Sequence, residues 1–556
     1  MAARGSPMRG WVRSKFVEVF GADLRSLAVF RMALGVMVLV DLAYRGTDLP
    51  AFYTDGGVPR SVLVQDESLL ERWRFSLNLL SGEPFVQSLL FGATAMAALA
   101  LLFGYSTRPM TIIVWVLMVS IQWRNPLVLN EGDTLLRVLL FWAIFLPLGA
   151  YWSADRASGA APSRWLSTCF LSFATAGLFL QISFVYWFTA ILKSGPDWRV
   201  DGSAVYYALS VDEWVTPLGT FLYQFPTLLT ALTFATIALE AFGSFFLFSP
   251  VLTGPVRTGA ALAFMGLHFG IWMTMPIGLF SWIAALCMVC FLPSWFWEEA
   301  LPKLRAMLPK RVRGAPRPPH ASWSSLRGRL SSIVGVGGQN SAAGVTANGG
   351  DHLDGSAATE TAAGEEMRWG ATGGDGPTIL RPSPVTNLLA ALTLVYVFSS
   401  NLASVSGFTV PERVAPIGLA LSLDQGWSVF APGVTRYNDW YVIPGTLQNG
   451  QQVNLIPAAL HNDFSSREGV SWEKPPDVSG DLKNKYWRKY LSSIRVDSGE
   501  LLRPYFGRYV CREWNARHTG DEQLVDLQLG IVEEMTLPDY QRAEPESTVL
   551  LEHTCT

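Results

Sequence analysis

The chain has 556 residues, of which 50% are hydrophobic and only 16% are charged, with a mean hydropathy of +0.26 and a net charge of −3. Soluble domains carry about 25% charged residues, so this composition excludes a disordered chain and argues against a wholly soluble enzyme. The five cysteines exclude a disulfide-built scaffold, and the small negative charge argues against a nucleic-acid partner. A polytopic protein embedded in a lipid bilayer is therefore the first interpretation.

Apolar segments of membrane-spanning length recur along most of the chain. Residues 1–23 are basic and amphipathic, and they are predicted to be a cytoplasmic or interfacial N-terminus. Beyond them, continuous apolar runs of roughly 17 to 25 residues predict about nine transmembrane helices, eight of them in a domain over residues 24–300. The expected spans are 24–44, 85–104, 109–123, 134–151, 167–192, 226–249, 257–275, 278–297 and 384–404.

Basic residues set the expected orientation. They concentrate at the N-terminus and after the eighth span, and an even number of spans places both regions on one side of the membrane. The positive-inside rule assigns that side to the cytoplasm. Residues 301–383 are rich in Gly, Ala, Ser and Pro, which predicts a disordered cytoplasmic linker. The ninth helix, residues 384–404, then leads the tail to the other side.

The tail, residues 405–556, has a soluble composition and is predicted to be an extracytoplasmic α+β domain. Its Asn449-Gly450 pair lies between two strand-like runs, which favours a hairpin. Two further segments have helical patterns, 483–495 and 502–517. In an oxidising compartment, a disulfide between Cys511 and Cys555 is one expectation and two free thiols are the other. The fold class is thus a polytopic α-helical membrane protein with a C-terminal extracytoplasmic α+β domain.

Ionisable residues inside apolar spans are costly, so each one needs an explanation. Arg31 and Glu240 are expected at similar depth towards the inner side, and Asp41 and Arg137 at similar depth towards the outer side. We interpret them as two structural ion pairs, Arg31 with Glu240 and Asp41 with Arg137. A proton or ion pathway is the alternative, although a pump would normally show more acidic residues along one route.

Lys193 and His268 are the candidates for chemistry. Lys193 is the only lysine between Lys15 and Lys303, and a desolvated lysine can lose its proton and act as a base, whereas arginine cannot. A lysine that extends to the outer interface is the structural alternative. His268 is either a packed, hydrogen-bonded side chain or a second proton-handling group that faces Lys193.

The expected outer loops supply polar residues to the same end of the bundle, and they predict a cavity that opens outward. The candidates for its lining are Asp197, Trp198, Trp123, Asn125, Asn130 and Asp133. The sequence offers no second cysteine pair and no histidine cluster, so no metal is expected.

Several segments resemble one family of membrane proteins. The segment YWFTAILKSGPDWRVDGSAVYYAL, from Tyr186, resembles the region around the catalytic lysine of vitamin K-dependent γ-glutamyl carboxylases and of their bacterial relatives, the HTTM-domain proteins. Three further stretches resemble HTTM sequences: the first span with its loop from Phe30, QWRNPLVLNEGDTLLR from Gln122, and YWSAD from Tyr151. HFGIWMTMPIGLFSW, from His268, resembles the carboxylases. In the tail, QGWSVFAP and the closing HTC resemble HTTM tails more weakly.

This resemblance implies an HTTM-like eight-helix domain and a carboxylase-like enzyme. Lys193 would be the base that deprotonates reduced vitamin K or menaquinone, with O₂ and CO₂ as co-substrates and His268 in support. The carbon substrate would be a glutamate in a secreted peptide or protein. The animal enzymes carry an Asn-His pair where this chain has Gly149 and Ala150, so the resemblance implies quinol oxidation more directly than carboxylation. The relatives that match best imply a bacterial inner-membrane location.

Two other functions fit the same sequence. The chain is either this enzyme or a non-catalytic maturation factor whose tail binds a secreted client. A transporter is the third alternative, but the sequence shows neither an inverted repeat nor a pair of broken helices.

Overall fold

The structure is a computed structural model that describes residues 7–67, 70–159, 168–307 and 382–555. Helices form most of these residues, and a small sheet lies near the C-terminus. The main helices are α1 (Pro7–Phe20), α2 (Leu24–Gly46), α3 (Pro84–Phe103), α4 (Thr107–Arg124), α5 (Glu131–Ala143), α6 (Phe173–Leu192), α7 (Pro226–Phe246), α8 (Thr253–Thr274), α9 (Phe280–Cys287), α10 (Pro384–Val405), α11 (Lys485–Arg495) and α12 (Arg503–Asn515).

Short helices join these elements. They are Leu49–Phe52, Arg60–Gln65, Ala154–Ala157, Pro196–Arg199, Ala204–Leu209, Pro217–Tyr223, Leu301–Met307, Ala415–Ala420, Ile456–His461 and Val478–Asp481. Helices α2, α3, α4 and α5 pack in sequence, and α10 packs against α6. Two short strands, β1 (Ala22–Asp23) and β2 (Cys169–Phe170), pair near the beginnings of α2 and α6.

Within the described residues, five helices are long and apolar enough to cross a membrane: α2, α3, α6, α7 and α10. The nine expected spans are therefore found only in part. Helix α5 has 13 residues and a length of about 20 Å, which is short of the roughly 30 Å of a bilayer core. The expected span 278–297 is not one continuous helix, because the chain bends by 91° between residues 291 and 296. Pro293 lies in this break, where a continuous helix is disfavoured.

The linker prediction mostly concerns residues outside the described ranges. Residues 308–381 are not described, but Leu301–Met307 is a helix, so the first part of the predicted 301–383 linker is ordered. The ninth predicted span, 384–404, coincides with α10.

The tail forms an α+β domain around one antiparallel sheet. Its strands are β3 (Tyr437–Val442), β4 (Pro444–Leu447), β5 (Gln452–Asn454), β6 (Leu524–Met535) and β7 (Glu546–Thr554). The central strand β6 pairs with β3, β4 and β7. The predicted hairpin is confirmed, since β4 and β5 pair around Gly450, whose φ of +83° suits a residue without a Cβ. Helices α11 and α12 cover the predicted segments 483–495 and 502–517.

A disulfide closes the tail. Cys511 in α12 bonds to Cys555 beside the end of β7, so the last strand is fixed to the helix that packs on the sheet. The core of the tail contains large aromatic side chains, including Trp487, Trp514 and Phe506. This core is continuous with that of the helical domain, since Trp487 contacts Phe52 with ring centroids 4.6 Å apart.

Candidate functional site

Lys193 is buried at the end of a candidate membrane helix. It is the residue that caps α6, and its side chain is only 3% exposed. The Nζ atom lies 2.8 Å from Oε1 and 2.7 Å from Oε2 of Glu240. It also lies 4.1 Å from the centre of the Trp198 ring, where a cation is attracted by the ring face. The lysine therefore does not extend to the interface but points into the protein.

Glu240 is the partner of Lys193 and not, as predicted, of Arg31. It lies in a π-helical turn, residues 239–243, inside α7. Such widened turns are frequent at functional sites because they re-aim side chains. Arg31 instead donates hydrogen bonds to the carbonyls of Leu148 at 3.0 Å and Trp152 at 2.6 Å. The predicted pair is wrong because the turn after α5 supplies free carbonyl groups that satisfy the guanidinium.

The second predicted ion pair, Asp41 with Arg137, is also wrong. Asp41 accepts a 2.6 Å hydrogen bond from Nε of Arg45, one turn later in α2, and a short one from the Tyr486 hydroxyl. Arg137 donates to the carbonyl of Ser422 at 3.1 Å. In both cases the tail provides a partner that depth along the spans does not reveal.

His268 lies beside the lysine site on α8. Its Nε2 atom is 2.8 Å from the hydroxyl of Tyr186, and its ring is buried. Its Nδ1 atom is buried without a hydrogen-bond partner among the described residues. One ring nitrogen is therefore oriented by Tyr186, and the other remains available to a ligand.

These side chains enclose a cavity of about 70 Å³, which we name the Lys193 chamber. Polar groups of Lys193, Glu240, His268 and Tyr186 line it, and the rest of its wall is mostly apolar. The lining comes from α6, α7, α8, α9, the short helices after α6, and the tail. The tail residues are Val429 and Phe430, which sequence reasoning missed. Within the segment QGWSVFAP, their apolar character was the only signal.

The six predicted cavity residues divide into two groups. Trp198 lines the Lys193 chamber, and Asn130 lines a larger neighbouring cavity. The other four line neither of these two cavities. Asp197 accepts a 2.8 Å hydrogen bond from the backbone N–H of Val434.

The remaining three residues stabilise the helical domain. Trp123 donates from Nε1 to the Ser422 hydroxyl at 2.8 Å. Asn125 donates from Nδ2 to the Phe52 carbonyl at 3.1 Å. Asp133 takes part in the cap at the start of α5 and accepts a short hydrogen bond from Arg45. Polar loop residues at this end are therefore largely used for capping and packing.

The Lys193 chamber combines a paired cation and anion with apolar surroundings. Two opposite charges in contact keep the site electrically neutral, so it can accept an uncharged, flat, apolar ligand that carries a hydroxyl group. A carboxylate and an amine within 3 Å of each other can also exchange a proton. Comparison of the chain with protein-family models, with curated proteins and with solved structures gives no match.

Proposed function

We propose that the chain is a membrane enzyme that oxidises a reduced quinone, related to the vitamin K-dependent carboxylases, and that Lys193 and Glu240 together form its acid–base group. The observation that carries this proposal is the contact between Lys193 Nζ and Glu240 inside a mostly apolar chamber. Burying an ion pair gains little stability over apolar packing, so stability alone does not explain why Lys193 and Glu240 are buried together.

The residues present suit a quinol head group. The apolar walls would hold its ring, while Lys193, Glu240 and His268 offer polar atoms to its hydroxyl groups. The unpaired Nδ1 of His268 is a further sign that a polar atom belongs there, since buried polar groups are normally hydrogen-bonded. When bound, the quinol would supply four electrons to O₂ once a hydroxyl proton has been removed, giving the quinone epoxide and water.

The ion pair changes how the lysine acts. In an ammonium–carboxylate pair the ammonium cannot accept a proton, so the proposed acceptor is the carboxylate of Glu240. When Glu240 takes a proton from a hydroxyl in the chamber, the ammonium of Lys193 loses its counter-charge and stabilises the negative charge left on the oxygen. The net charge of the site stays constant, which matters in surroundings where an unpaired charge is costly.

His268 and Tyr186 would support this transfer. Their 2.8 Å hydrogen bond fixes the orientation of the imidazole ring, which lines the chamber. A fixed donor or acceptor costs no reorganisation when the ligand binds.

We further propose that the described helices are part of a nine-helix bundle in a bacterial inner membrane, with a cytoplasmic N-terminus and an extracytoplasmic tail. The disulfide between Cys511 and Cys555 supports an oxidising compartment for the tail. Val429 and Phe430 line the Lys193 chamber, which places the chamber on the tail side of the bundle.

The second half of the proposed reaction is carboxylation of a glutamate in a secreted peptide or protein. The carbonyl of Ala150 accepts a 2.7 Å hydrogen bond from Arg156, and neither Gly149 nor Ala150 lines the chamber. These positions therefore lend carboxylation no support, and quinol oxidation is the activity to test first. CO₂ incorporation into an acceptor peptide is a separate assay.

The test is oxygen-dependent formation of quinone epoxide by the full chain in nanodiscs with reduced menaquinone or vitamin K. We expect Lys193→Ala and Glu240→Gln each to lower the rate by at least about 100-fold, the usual scale of acid–base catalysis. Lys193→Arg keeps the positive charge that stabilises the oxygen anion, so it should retain more activity than Lys193→Ala. The matched control is Lys474→Ala, which removes a tail lysine that pairs with Asp212 and Glu534.

Full activity in Lys193→Ala would contradict the proposed role of the lysine. The absence of epoxide from folded wild-type protein with either quinol would contradict the enzyme itself. The alternative of a client-binding factor would then be favoured, and it predicts that a secreted protein co-purifies through residues 405–556.

A further inference from the structure

A second, larger cavity lies between the helical domain and the tail. Its volume is about 450 Å³, and it shares the apolar residues Ile277, Phe280, Val429 and Phe430 with the Lys193 chamber. Its other lining is strongly charged. Lys485, Arg488, Lys489 and Arg495 come from α11, and acidic groups come from α5, β3 and the segment after Ala204–Leu209. This arrangement, which we name the interdomain cavity, has a charged side and an apolar side.

Lys485 is a buried cation with an incomplete set of partners. Its Nζ atom is buried and has no hydrogen-bond partner among the described residues. The carboxylates of Asp133 and Asp41 lie near enough to favour its charge, yet burial still lowers the pKa of the ammonium below its ordinary value. The two neighbouring carboxylates therefore do not fully compensate the positive charge of Lys485.

The position of Lys485 depends on a close approach to Gly278. A Cβ at residue 278 would overlap Cδ of the lysine, and the φ of Gly278 is +91°, where residues with a Cβ are strained. The loop between α8 and α9 thus has a glycine at the position where the side-chain stem of Lys485 crosses the loop. The stem is confined in this way, so the ammonium has a defined location.

Arg488, one turn after Lys485, is the second incomplete cation. Its Nη2 donates to the backbone carbonyl of Glu213, but its buried Nε lies 3.7 Å from Oε2 of Glu213 and makes no hydrogen bond with the described residues. Arg495 on the same helix differs, because it donates to both Asp439 and Glu533. Arg488 therefore keeps an open donor on this helix, whereas Arg495 is occupied.

Glu213 is the carboxylate that faces Arg488, with Asp439 and Arg495 as its other charged neighbours. Burial raises the pKa of Glu213 to about 7, so near neutral pH this carboxylate is only partly ionised. The acidic residues that line the cavity therefore carry less negative charge near neutral pH than their number indicates.

We propose that the interdomain cavity is a binding site for an oxyanion, a carboxylate or a phosphate group, held by Lys485 and Arg488, both of which line it. A buried donor without a partner destabilises the free protein by roughly 1–3 kcal/mol, and an anion that pairs with it removes that cost. Hydrogen bonds between charged partners are also the stronger kind. The site goes beyond the proposed quinol chemistry and does not depend on it, because its evidence is the two donor atoms without a hydrogen bond, on Lys485 and Arg488, and not the Lys193 chamber.

The test is isothermal titration calorimetry on the full chain in nanodiscs, with glutarate and inorganic phosphate as separate probes. We expect saturable binding of at least one probe, and Lys485→Met and Arg488→Gln should each weaken it by about 10- to 100-fold. Arg508→Gln is the matched control, since it removes the same charge from an exposed position on α12 that does not line the cavity, and it should weaken binding less than about threefold. Lys193→Ala should bind the probe normally.

The outcomes separate the possibilities. Binding of glutarate alone identifies a carboxylate ligand, and binding of phosphate alone identifies a phosphate ligand; either supports the proposal. Equal weakening by Lys485→Met, Arg488→Gln and Arg508→Gln would overturn it, because that result indicates a diffuse field and not a site. Absence of saturable binding for both probes up to roughly 10 mM would also overturn it. If Lys485→Met fails to fold, the comparison of Arg488→Gln with Arg508→Gln decides.

Discussion

The pair Lys193–Glu240 can be tested as a unit by a double-mutant cycle on stability. The variants are Lys193→Met, Glu240→Leu and the two combined. Each single change leaves one charge in a largely apolar chamber without its partner, because the side chains are only 3% and 9% exposed. We expect each single variant to be strongly destabilised and the double variant to recover most of the loss.

The magnitude follows from the geometry. At 2.7 Å and an effective dielectric constant of about 20, two unit charges attract by about 6 kcal/mol. Removing two ions from water costs several kcal/mol each, so the pair as a whole contributes little net stability. Breaking it leaves an uncompensated charge, which costs about 3–5 kcal/mol. The coupling energy in the cycle should therefore be about 3 kcal/mol or more.

The assay is equilibrium unfolding of the four proteins in the same detergent, followed by tryptophan fluorescence, with quinol turnover measured in parallel. The double variant should regain stability without regaining turnover, which separates the structural effect of the pair from its chemistry. A double variant that loses as much stability as the sum of the two singles would refute the direct contact on which the proposed acid–base group depends.

Three further predictions concern the tail and the interdomain cavity. Burial raises the pKa of Glu213 from its ordinary 4.5 to about 7, so the folded state keeps a proton that the unfolded state releases. The free energy of unfolding should then fall by about 3 kcal/mol as pH rises through that interval. Glu213→Gln should remove this slope; an unchanged slope would contradict the assignment. The disulfide Cys511–Cys555 joins residues separated by 44 positions, so its reduction should destabilise the tail by about 4 kcal/mol in denaturant unfolding. The double Cys→Ser variant should be as unstable as the reduced protein, and reductant should not change its stability. Gly278→Ala should destabilise the protein and weaken anion binding. Gly266→Ala, at an open helical position, should do neither. Equal shifts in thermal unfolding for the two variants would contradict the close approach of the Lys485 stem to Gly278.

Local patterns predicted most of the tail correctly. The Asn449-Gly450 turn and helices α11 and α12 follow from contacts between residues close in sequence, and the structure contains all of them. Lys193 and His268 were also singled out from sequence, and the structure brings both into one chamber. In these cases the signal was either a short-range pattern or a residue type that is costly in an apolar segment.

The predicted ion pairs failed for a different reason. Pairing by depth assumes that all helices are straight, begin at one membrane surface and find partners only within the bundle. Helix α7 is not regular, because Glu240 lies in a π-helical turn. The partner of Glu240 is Lys193 at the very end of α6, so depth counted from a common membrane surface does not match the two residues. Asp41 breaks the third assumption, because it bonds to Tyr486 of the tail.

The tail and the lysine site form one structural unit, held by the segment that directly follows Lys193. The backbone N–H of Gly195 donates to the carbonyl of Pro432 at 2.9 Å, and the indole of Trp198 donates to the carbonyl of Phe430 at 2.8 Å. These contacts hold the tail segment whose Val429 and Phe430 side chains line both cavities. The segment that follows Lys193 thus holds the tail residues that line both cavities, so the tail completes the wall of each. Neither cavity belongs to the helical domain alone, which gives a physical reason for the tail and the helical domain to share one continuous core.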